Sequence, residues 1–594
     1  MKKIFLIGAL AAIGATLAGC DDFLDENRYP LTTEVNNPTY WGNTANVQLQ
    51  VDRFYNYYTG YGNGTGSGWF YFKTLSDDQA GGSFADWTYT SVGSSSTNYS
   101  NPYTYIRGLN TIIEGIKTAS PALTEKDAKN YEGIARLNRA YWYHQLVRMY
   151  GDVLWVEGVA DTNDEQIMGP RTNRDIVMDS VLADLNYAAA AITTQSGKQV
   201  WSRDLALAMK ADICLYEGTF CKYRTQADNG VAADATRANK YLNEAANAAQ
   251  QLINSGRYSL NTKTASGTYE GYAYNFGAYQ YNYNQDLTAA KANTEFIFFK
   301  GYNKDIFMHS TIDYTCGSTA ISGMTKDAFD NYLFKDGKPA ASTSMNKSDV
   351  GEVDADGNYS IAKLLEVRDG RLAQTIDPYV FYKGMGWARG PAGSVEMTST
   401  TGYGVSKYDN PSWPVAYRPE GNKNYSCAPL YWLAVVYLDY AEAKAELGTL
   451  TDADLDLTIN KLYARADLPS QTVASLNAIN DPANNMNVSS LIWEIRRCRR
   501  CELMFDNWVR YWDLIRWHKL DLLDTTKHPN ILLGANASAA PVEPSAVTGV
   551  YVNGSQGGSR TYDKKHYLYP IPSGQITLNP QLGQNPGWAD NENK

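Results

Sequence analysis

The stretch Leu433-Ala-Val-Val-Tyr-Leu-Asp-Tyr-Ala-Glu-Ala-Lys-Ala-Glu-Leu-Gly448 decides the fold class. Leu433, Val436, Tyr440, Ala443 and Leu447 recur at steps of three and four, which puts them on one face of a helix, and Gly448 stands where a C-terminal cap glycine belongs. Similar spacing links Val181, Leu185, Ala188 and Ile192, and again Tyr241, Ala245, Ala248 and Leu252, the last run ending at Ser255-Gly256. Another helix is predicted from Thr124 to Tyr150, with Thr124 and Asp127, like Thr172 and Asp175, placed as capping boxes. Small residues (Ala140, Ala208, Ala211, Ala245, Ala441, Ala445) fall at positions where helices would touch, and they allow the close approach that stacked helix pairs need. The chain reads as mostly α, with the pattern of a degenerate tetratricopeptide array, although no strict repeat of about 34 residues is visible.

Outside these runs the composition changes. From 257 to 428 the chain is rich in Gly, Tyr, Asn, Ser and Thr without helical period, so an irregular subdomain with little β is expected. A second loop-rich region, 55–104, contains Tyr57-Tyr58-Thr59-Gly60-Tyr61-Gly62-Asn63-Gly64 and Asp86-Trp87-Thr88-Tyr89. The segment 534–594 is irregular as well and holds Tyr567-Leu568-Tyr569-Pro570-Ile571-Pro572. The helical array then falls mainly at 102–256 and 429–520, inside a single body from 36 to 594.

At the N-terminus, Lys2 and Lys3 precede an apolar run from Ile4 to Leu17 that is too short to cross a bilayer comfortably. It ends Leu17-Ala18-Gly19-Cys20, which resembles a bacterial lipobox. Residues 1–19 are expected to be a signal peptide, with Cys20 lipidated and 20–35 a tether. An ordinary secretory signal with a coincidental cysteine is the competing reading. Acyl chains on Cys20 would hold the protein to a membrane at about 0.8 kcal/mol per buried methylene. The acidic start Asp21-Asp22-Phe23-Leu24-Asp25 resembles the surface-export signal of lipoproteins in Bacteroidetes-type bacteria, which would put the body outside the outer membrane.

Loss of Lys2 and Lys3 takes the formal charge from −10 to −12, which argues against a nucleic-acid or anionic-membrane target and for a neutral or cationic ligand. Six cysteines besides Cys20 are too few for disulfides to carry an extracellular chain of 594 residues, so the core must do so. The 45 tyrosines against 16 phenylalanines favour rings that tolerate water at one edge.

Several blocks resemble the SusD/RagB family of outer-membrane nutrient-binding lipoproteins. They are the Cys20-Asp-Asp-Phe-Leu-Asp start, Arg136-Leu-Asn-Arg-Ala-Tyr-Trp-Tyr143 through Arg148-Met-Tyr-Gly-Asp-Val153, and Arg368-Asp-Gly-Arg-Leu-Ala-Gln-Thr375. Tyr437-Leu-Asp-Tyr-Ala-Glu-Ala-Lys444, Arg510-Tyr-Trp-Asp-Leu-Ile-Arg-Trp517, Tyr569-Pro-Ile-Pro572 and Asn579-Pro580 follow in order. The resemblance implies four tetratricopeptide-like helix pairs and an irregular subdomain bearing the ligand site. It also implies a lid-like seat on a SusC-like, TonB-dependent barrel transporter, and an oligosaccharide ligand. Cys498 departs from the family pattern, which is usually acidic there. On a helix Cys498 and Cys501 face one side without two further ligands nearby, so structural thiols are favoured over a local disulfide or a metal.

A sugar offers C–H faces and a rim of hydroxyls, so its site needs aromatic platforms flanked by Asn, Asp, Gln or Arg. One candidate set is Trp69, Tyr71, Asp77, Asp78, Asp86, Trp87 and Tyr89, with Asn98 and Asn101; the other is Tyr272, Tyr274, Asn275, Tyr279, Tyr281, Asn282 and Tyr283. The resemblance places a binding aromatic in the loop before a helix that would begin near Pro102, which singles out Trp87. Trp87 could instead pack beneath its loop, and the 272–283 tyrosines could form a hairpin that merely covers the array. A glycoside hydrolase would need two carboxylates about 5–10 Å apart in one cleft; Asp77, Asp78 and Asp86 are the only tempting group, and nothing marks a raised acid. With no Gly-x-Ser-x-Gly and five scattered histidines, no enzyme activity, cofactor or metal is expected. Asp354-Ala-Asp356-Gly357-Asn358 lacks the glutamate that closes a calcium loop and is read as a turn. The Arg510–Trp517 block is read as packing and salt bridging. A peptide- or glycoprotein-binding member of the same architecture, and an adhesin or scaffold, are the alternatives to a glycan-capture protein.

Overall fold

The structure is a computed structural model that describes residues 38–62, 76–81, 91–119, 122–269, 272–317, 322–382, 398–418, 421–506, 509–554 and 559–588. Its frame is a row of antiparallel helices: α1 (Thr97–Ala119), α2 (Glu125–Tyr150), α3 (Arg174–Ala191), α4 (Arg203–Tyr223), α5 (Ala235–Asn254), α6 (Leu433–Glu446), α7 (Ile459–Arg465) and α8 (Ser490–Glu502). Each packs on the next, while α4, α6 and α8 also touch in succession, so that four pairs stack as in a tetratricopeptide array. A ninth helix, α9 (Val509–Arg516), lies against α4.

Local chemistry sets the helix starts. Thr124 Oγ1 accepts from the Asp127 N–H, Ser202 from Leu205, Asp234 from Arg237 and Ser489 from Ile492, each satisfying a donor that has no partner within its helix. Two expectations are corrected. Asn173, not Thr172, caps α3, because Thr172 is held in a β-bridge with Val153. And α1 begins at Thr97, so Pro102 lies inside it rather than at its start. The small residues foreseen at contacts, Ala140, Ala208, Ala211, Ala245, Ala441 and Ala445, are all buried.

The chain leaves the array after α5 and re-enters at α6. The excursion is closed at its neck by the antiparallel pair Phe296–Lys300 and Ala428–Trp432. Before the neck comes a hairpin, Ala265–Tyr269 with Tyr272–Phe276, and between the two neck strands lies a four-stranded sheet built from Glu352–Val353, Tyr359–Ser360, Ile376–Val380 and Tyr403–Val405. A second hydrophobic core, with Tyr279, Tyr283, Tyr302, Phe329, Tyr403 and Tyr408 among its members, fills this subdomain.

The array is unusual in how much charge it buries. Arg516 binds both oxygens of Glu442 at 2.6 and 2.7 Å and also reaches Asp513, which accepts from Arg499, which in turn reaches Asp439. Arg371 bridges Asp369 and Glu502. Removing such ions from water costs several kcal/mol each, so the network adds little net stability, but any unpaired member would be expensive; it fixes which helix faces which.

Candidate functional site

The start of α1, the last turns of α2 and the segment 57–60 enclose a cavity of about 190 Å³. Helical spacing builds two of its walls. Asn98, Asn101, Pro102 and Tyr105 stand at i, i+3, i+4 and i+7 on α1, and Tyr141, Gln145 and Arg148 at i, i+4 and i+7 on α2. The third wall is Tyr57 to Gly60. Gly60 adopts φ +53°, and a Cβ there would sit 2.8 Å from the Lys300 Cβ, so only glycine lets this segment cross the neck strand so closely. Tyr302 fastens the same segment by donating its hydroxyl to the carbonyls of Thr59 at 3.1 Å and Gly62 at 2.7 Å.

The floor is aromatic. Tyr57 and Tyr105 stack with centroids 4.0 Å apart and planes 16° from parallel. Tyr105 leans on Trp142 at 4.6 Å, and Tyr141 on Tyr58 at 4.6 Å. Tyr57, Tyr105 and Tyr141 are half-buried, so each ring keeps an accessible part, whereas Tyr58 is buried and donates its hydroxyl to Asn138 Oδ1. Burial pushes the Tyr141 phenol up to about 12 and raises that of Tyr105, so both stay neutral donors. Pro102 has no N–H to give the Asn98 carbonyl, which removes one helical bond at the cavity wall. Among the described residues, Arg148 supplies the one charge of the lining and no carboxylate lines it. Ring faces, amides and one guanidinium make a surface suited to a ligand with C–H faces and hydroxyl edges. Among the described residues it offers no pair of acids for bond cleavage.

Of the residues predicted from sequence, Asn98 and Asn101 line this cavity. Trp69, Tyr71, Asp86, Trp87, Tyr89 and Cys20 lie outside the described residues, as does the side chain of Tyr272. Tyr274 is half-buried in its hairpin beside Phe276, and Tyr281 is half-buried in the short helix Ala278–Tyr281. Tyr279 and Tyr283 are a correction: at 0% and 1% exposure they present no face to a ligand. The Tyr279 hydroxyl donates to the Glu502 carbonyl at 2.8 Å, that of Tyr283 to Asp506 Oδ2 at 2.7 Å, and the buried Lys407 ammonium lies over both rings. They anchor the irregular subdomain to the end of α8 and the segment that follows it.

Asp77 and Asp78 are equally committed. Arg510 takes both oxygens of Asp77, and Arg500 binds Asp78 at 2.7 Å. Burial opposes ionisation of Asp77, but Arg500 and Arg510 outweigh it and hold its carboxyl below the usual range. Tyr57, Tyr58, Tyr105, Tyr141, Trp142 and Arg148 were not foreseen as site residues. The dipeptide Tyr57-Tyr58 and the Tyr141-Trp142 pair were visible, but only the i, i+4 alignment of one helix against another shows that they converge.

Among the described residues one group, Asp175, Glu217 and Cys221, has metal-ligand spacing. Arg174 neutralises Glu217 at 2.6 Å, Arg224 neutralises Asp175 at 2.7 Å, and Arg237 approaches Asp175 at 3.4 Å, so the cluster is an ion-pair network. Cys498 and Cys501 are free, buried thiols on α8, contacted by Arg371 and Asn331. Burial pushes the Cys498 thiol up to about 12. Asp354 spends its carboxylate on the N–H groups of Asp356 and Asn358, closing a turn in which Gly357 has φ +84°.

Residues 278–588, more than half of the chain, match the model of the SusD family, and residues 22–214 match a second model described as starch-binding associating with outer membrane. No curated protein matches. Among solved structures, a SusD-like carbohydrate binding protein from Bacteroides fragilis is 19% identical, covers 92% of this chain and 100% of its own, and superposes with a TM-score of 0.63. A second SusD-like protein from that species is 22% identical over 94% of this chain and 100% of its own, with a TM-score of 0.64. Surface glycan-binding protein A from Bacteroides fluxus is 16% identical over 92% of this chain and 99% of its own, with a TM-score of 0.58. At these identities the likeness carries the fold, and it agrees with the four stacked helix pairs and the subdomain inserted between α5 and α6. The chain belongs to the SusD family.

Proposed function

We propose that this protein captures an extracellular glycan at the cavity between α1, α2 and the segment 57–60, and delivers it to a SusC-like, TonB-dependent barrel in the outer membrane. The observation that carries the reading is the stacked Tyr57–Tyr105 pair with Asn98 and Asn101 on the same wall, a platform with hydrogen-bonding groups beside it. At about 190 Å³ the cavity is smaller than the roughly 300 Å³ at which drug-sized pockets begin, so it takes one sugar residue or the end of a chain. Each ring would contribute about 0.5–1.5 kcal/mol beyond area burial, and each hydrogen bond to a sugar hydroxyl nets about 1 kcal/mol. After ordering costs this supports binding in roughly the micromolar to millimolar range, suited to a protein that must release its cargo. Trp87 and Tyr89, which precede α1 in the sequence, would extend the platform. Cys20 would carry the lipid anchor at the cell surface.

Calorimetric titration of the protein with a panel of oligosaccharides and peptides tests this. Saturable binding of a glycan that weakens about tenfold in both Tyr105→Ala and Asn101→Ala, without loss of folding, is expected. Peptide binding with no heat from any glycan would replace this reading with a peptide-capture one. The anchor is tested separately: Cys20→Ala should leave the membrane fraction in a strain lacking the partner barrel.

A further inference from the structure

The cavity holds a cation that no described carboxylate pairs. Arg148 lies in the last turn of α2, with its guanidinium stacked over Trp512 at 4.2 Å from the ring centroid. Its Nη2 donates to Gln145 Oε1, while Nε is buried without a hydrogen-bond partner. Among the described residues it forms no ion pair. The charge of Asp212 acts on it from a distance, and that group is shared electrostatically with Arg499 and Arg516.

Arg148 is half-buried, and this is not how the chain treats its other buried and half-buried arginines. Arg139, Arg174, Arg496, Arg499 and Arg516 each have a carboxylate in contact. Arg171, Arg368 and Arg560 rest on backbone carbonyls instead: Leu582 and Asp152 for Arg171, Phe329 and Tyr332 for Arg368, Leu523 for Arg560. Arg148 has neither. Half-burial that covers Nε and leaves the group one side-chain acceptor is a standing cost, reflected in the downward push on its pKa, and a bound anion would remove it. The walls fit such a ligand. Among the described residues they contain no carboxylate to repel it, and a guanidinium fixed on an indole presents its donors in one plane, the arrangement that binds a carboxylate.

We infer that the sugar taken by this cavity is acidic, with the carboxylate of a uronic acid residue meeting Arg148 while the Tyr57–Tyr105 platform carries a ring face. This deepens the proposed function and rests on its reading of the cavity as the glycan site. The protein's net charge of −10 does not oppose it, because charges beyond about 8 Å are screened at physiological salt and those that line the cavity decide.

Oligosaccharides from pectate, alginate and chondroitin, each beside its methyl-esterified counterpart, provide the test, with neutral glucan and xylan oligomers as a third arm. At least one acidic member should bind, weaken about tenfold or more on esterification, and weaken equally in Arg148→Met, which keeps the stacking stem without the charge. Asn101→Ala should weaken acid and ester alike, and circular dichroism should show both variants folded. If Arg148→Met proves unfolded, Arg148→Lys replaces it, with a partial loss for the acid and none for the ester. Binding of neutral oligomers with no preference for any acidic one would overturn the inference and leave glycan capture standing. Failure of every glycan would overturn both.

Discussion

Arg510 and Asp77 are joined by two parallel charge-assisted hydrogen bonds, 2.7 Å from Nε to Oδ1 and 2.6 Å from Nη2 to Oδ2, across 433 positions of sequence. Both groups are buried, and together with the Arg500–Asp78 pair they clamp the segment 76–81 against the end of the helical array. Breaking one partner leaves an uncompensated buried charge. Asp77→Ala should therefore destabilise the fold by roughly 3–5 kcal/mol, and the double variant Asp77→Ala, Arg510→Met should recover part of that loss. Urea denaturation of the four proteins of the cycle measures it. A loss below about 1 kcal/mol for Asp77→Ala would mean that the pair is not closed in solution.

Tyr283→Phe should cost about 1–3 kcal/mol and leave glycan affinity unchanged. The hydroxyl bonds Asp506 at 2.7 Å inside the second core, where Asp506 also faces Lys407 at 2.8 Å and Tyr408 at 3.0 Å. The ring would keep its packing while one donor to a buried carboxylate is lost. A weakened glycan isotherm with an unchanged melting temperature would contradict the burial seen here and return this ring to the ligand site.

Much of the frame was legible in the sequence, because a helix that packs on both neighbours must repeat its apolar residues at three and four. The runs through Leu433, Val181 and Tyr241 became α6, α3 and α5, and the alanines foreseen at contacts are buried. The subdomain read less well, because tyrosine at 272–283 has the same composition whether its hydroxyl meets water or Asp506. Only the fold distinguishes Tyr283 from Tyr57. The cavity itself could not be read, since Asn101 and Tyr141 meet through the packing of α1 on α2. Overall charge speaks for a neutral or cationic ligand, whereas among the described residues the cavity is lined by Arg148 and by no acid.

Acid should loosen the subdomain through His309. Burial holds this imidazole down to about 3, against a small opposing contribution from its hydrogen bond to the Ser426 carbonyl. The unfolded chain, with an ordinary value of 6.5, binds the proton first. Stability from this residue is thus whole above pH 6.5 and falls as the pH drops towards 3. His309→Gln removes the titrating group, so the stability difference between wild type and variant should shrink steadily between pH 6.5 and pH 4. Denaturation midpoints that run parallel over that range would show His309 to be accessible to protons in the native state.

The packing of α4 on α5 gives a prediction in which two ordinary effects oppose each other. Gly218 lies within α4, where alanine is favoured over glycine by about 1 kcal/mol in a free helix. A Cβ at this position would stand 2.8 Å from Leu242 Cγ and 2.9 Å from the Leu242 backbone nitrogen. Leu242 is fully buried in α5, and its backbone cannot withdraw without moving that helix. The clash should outweigh the propensity, so Gly218→Ala is expected to lower stability by about 1–3 kcal/mol, read as a shift of the urea midpoint at unchanged slope. If the variant is instead more stable, the two helices can part by a few tenths of an ångström at little cost, and the glycine is not what lets them approach.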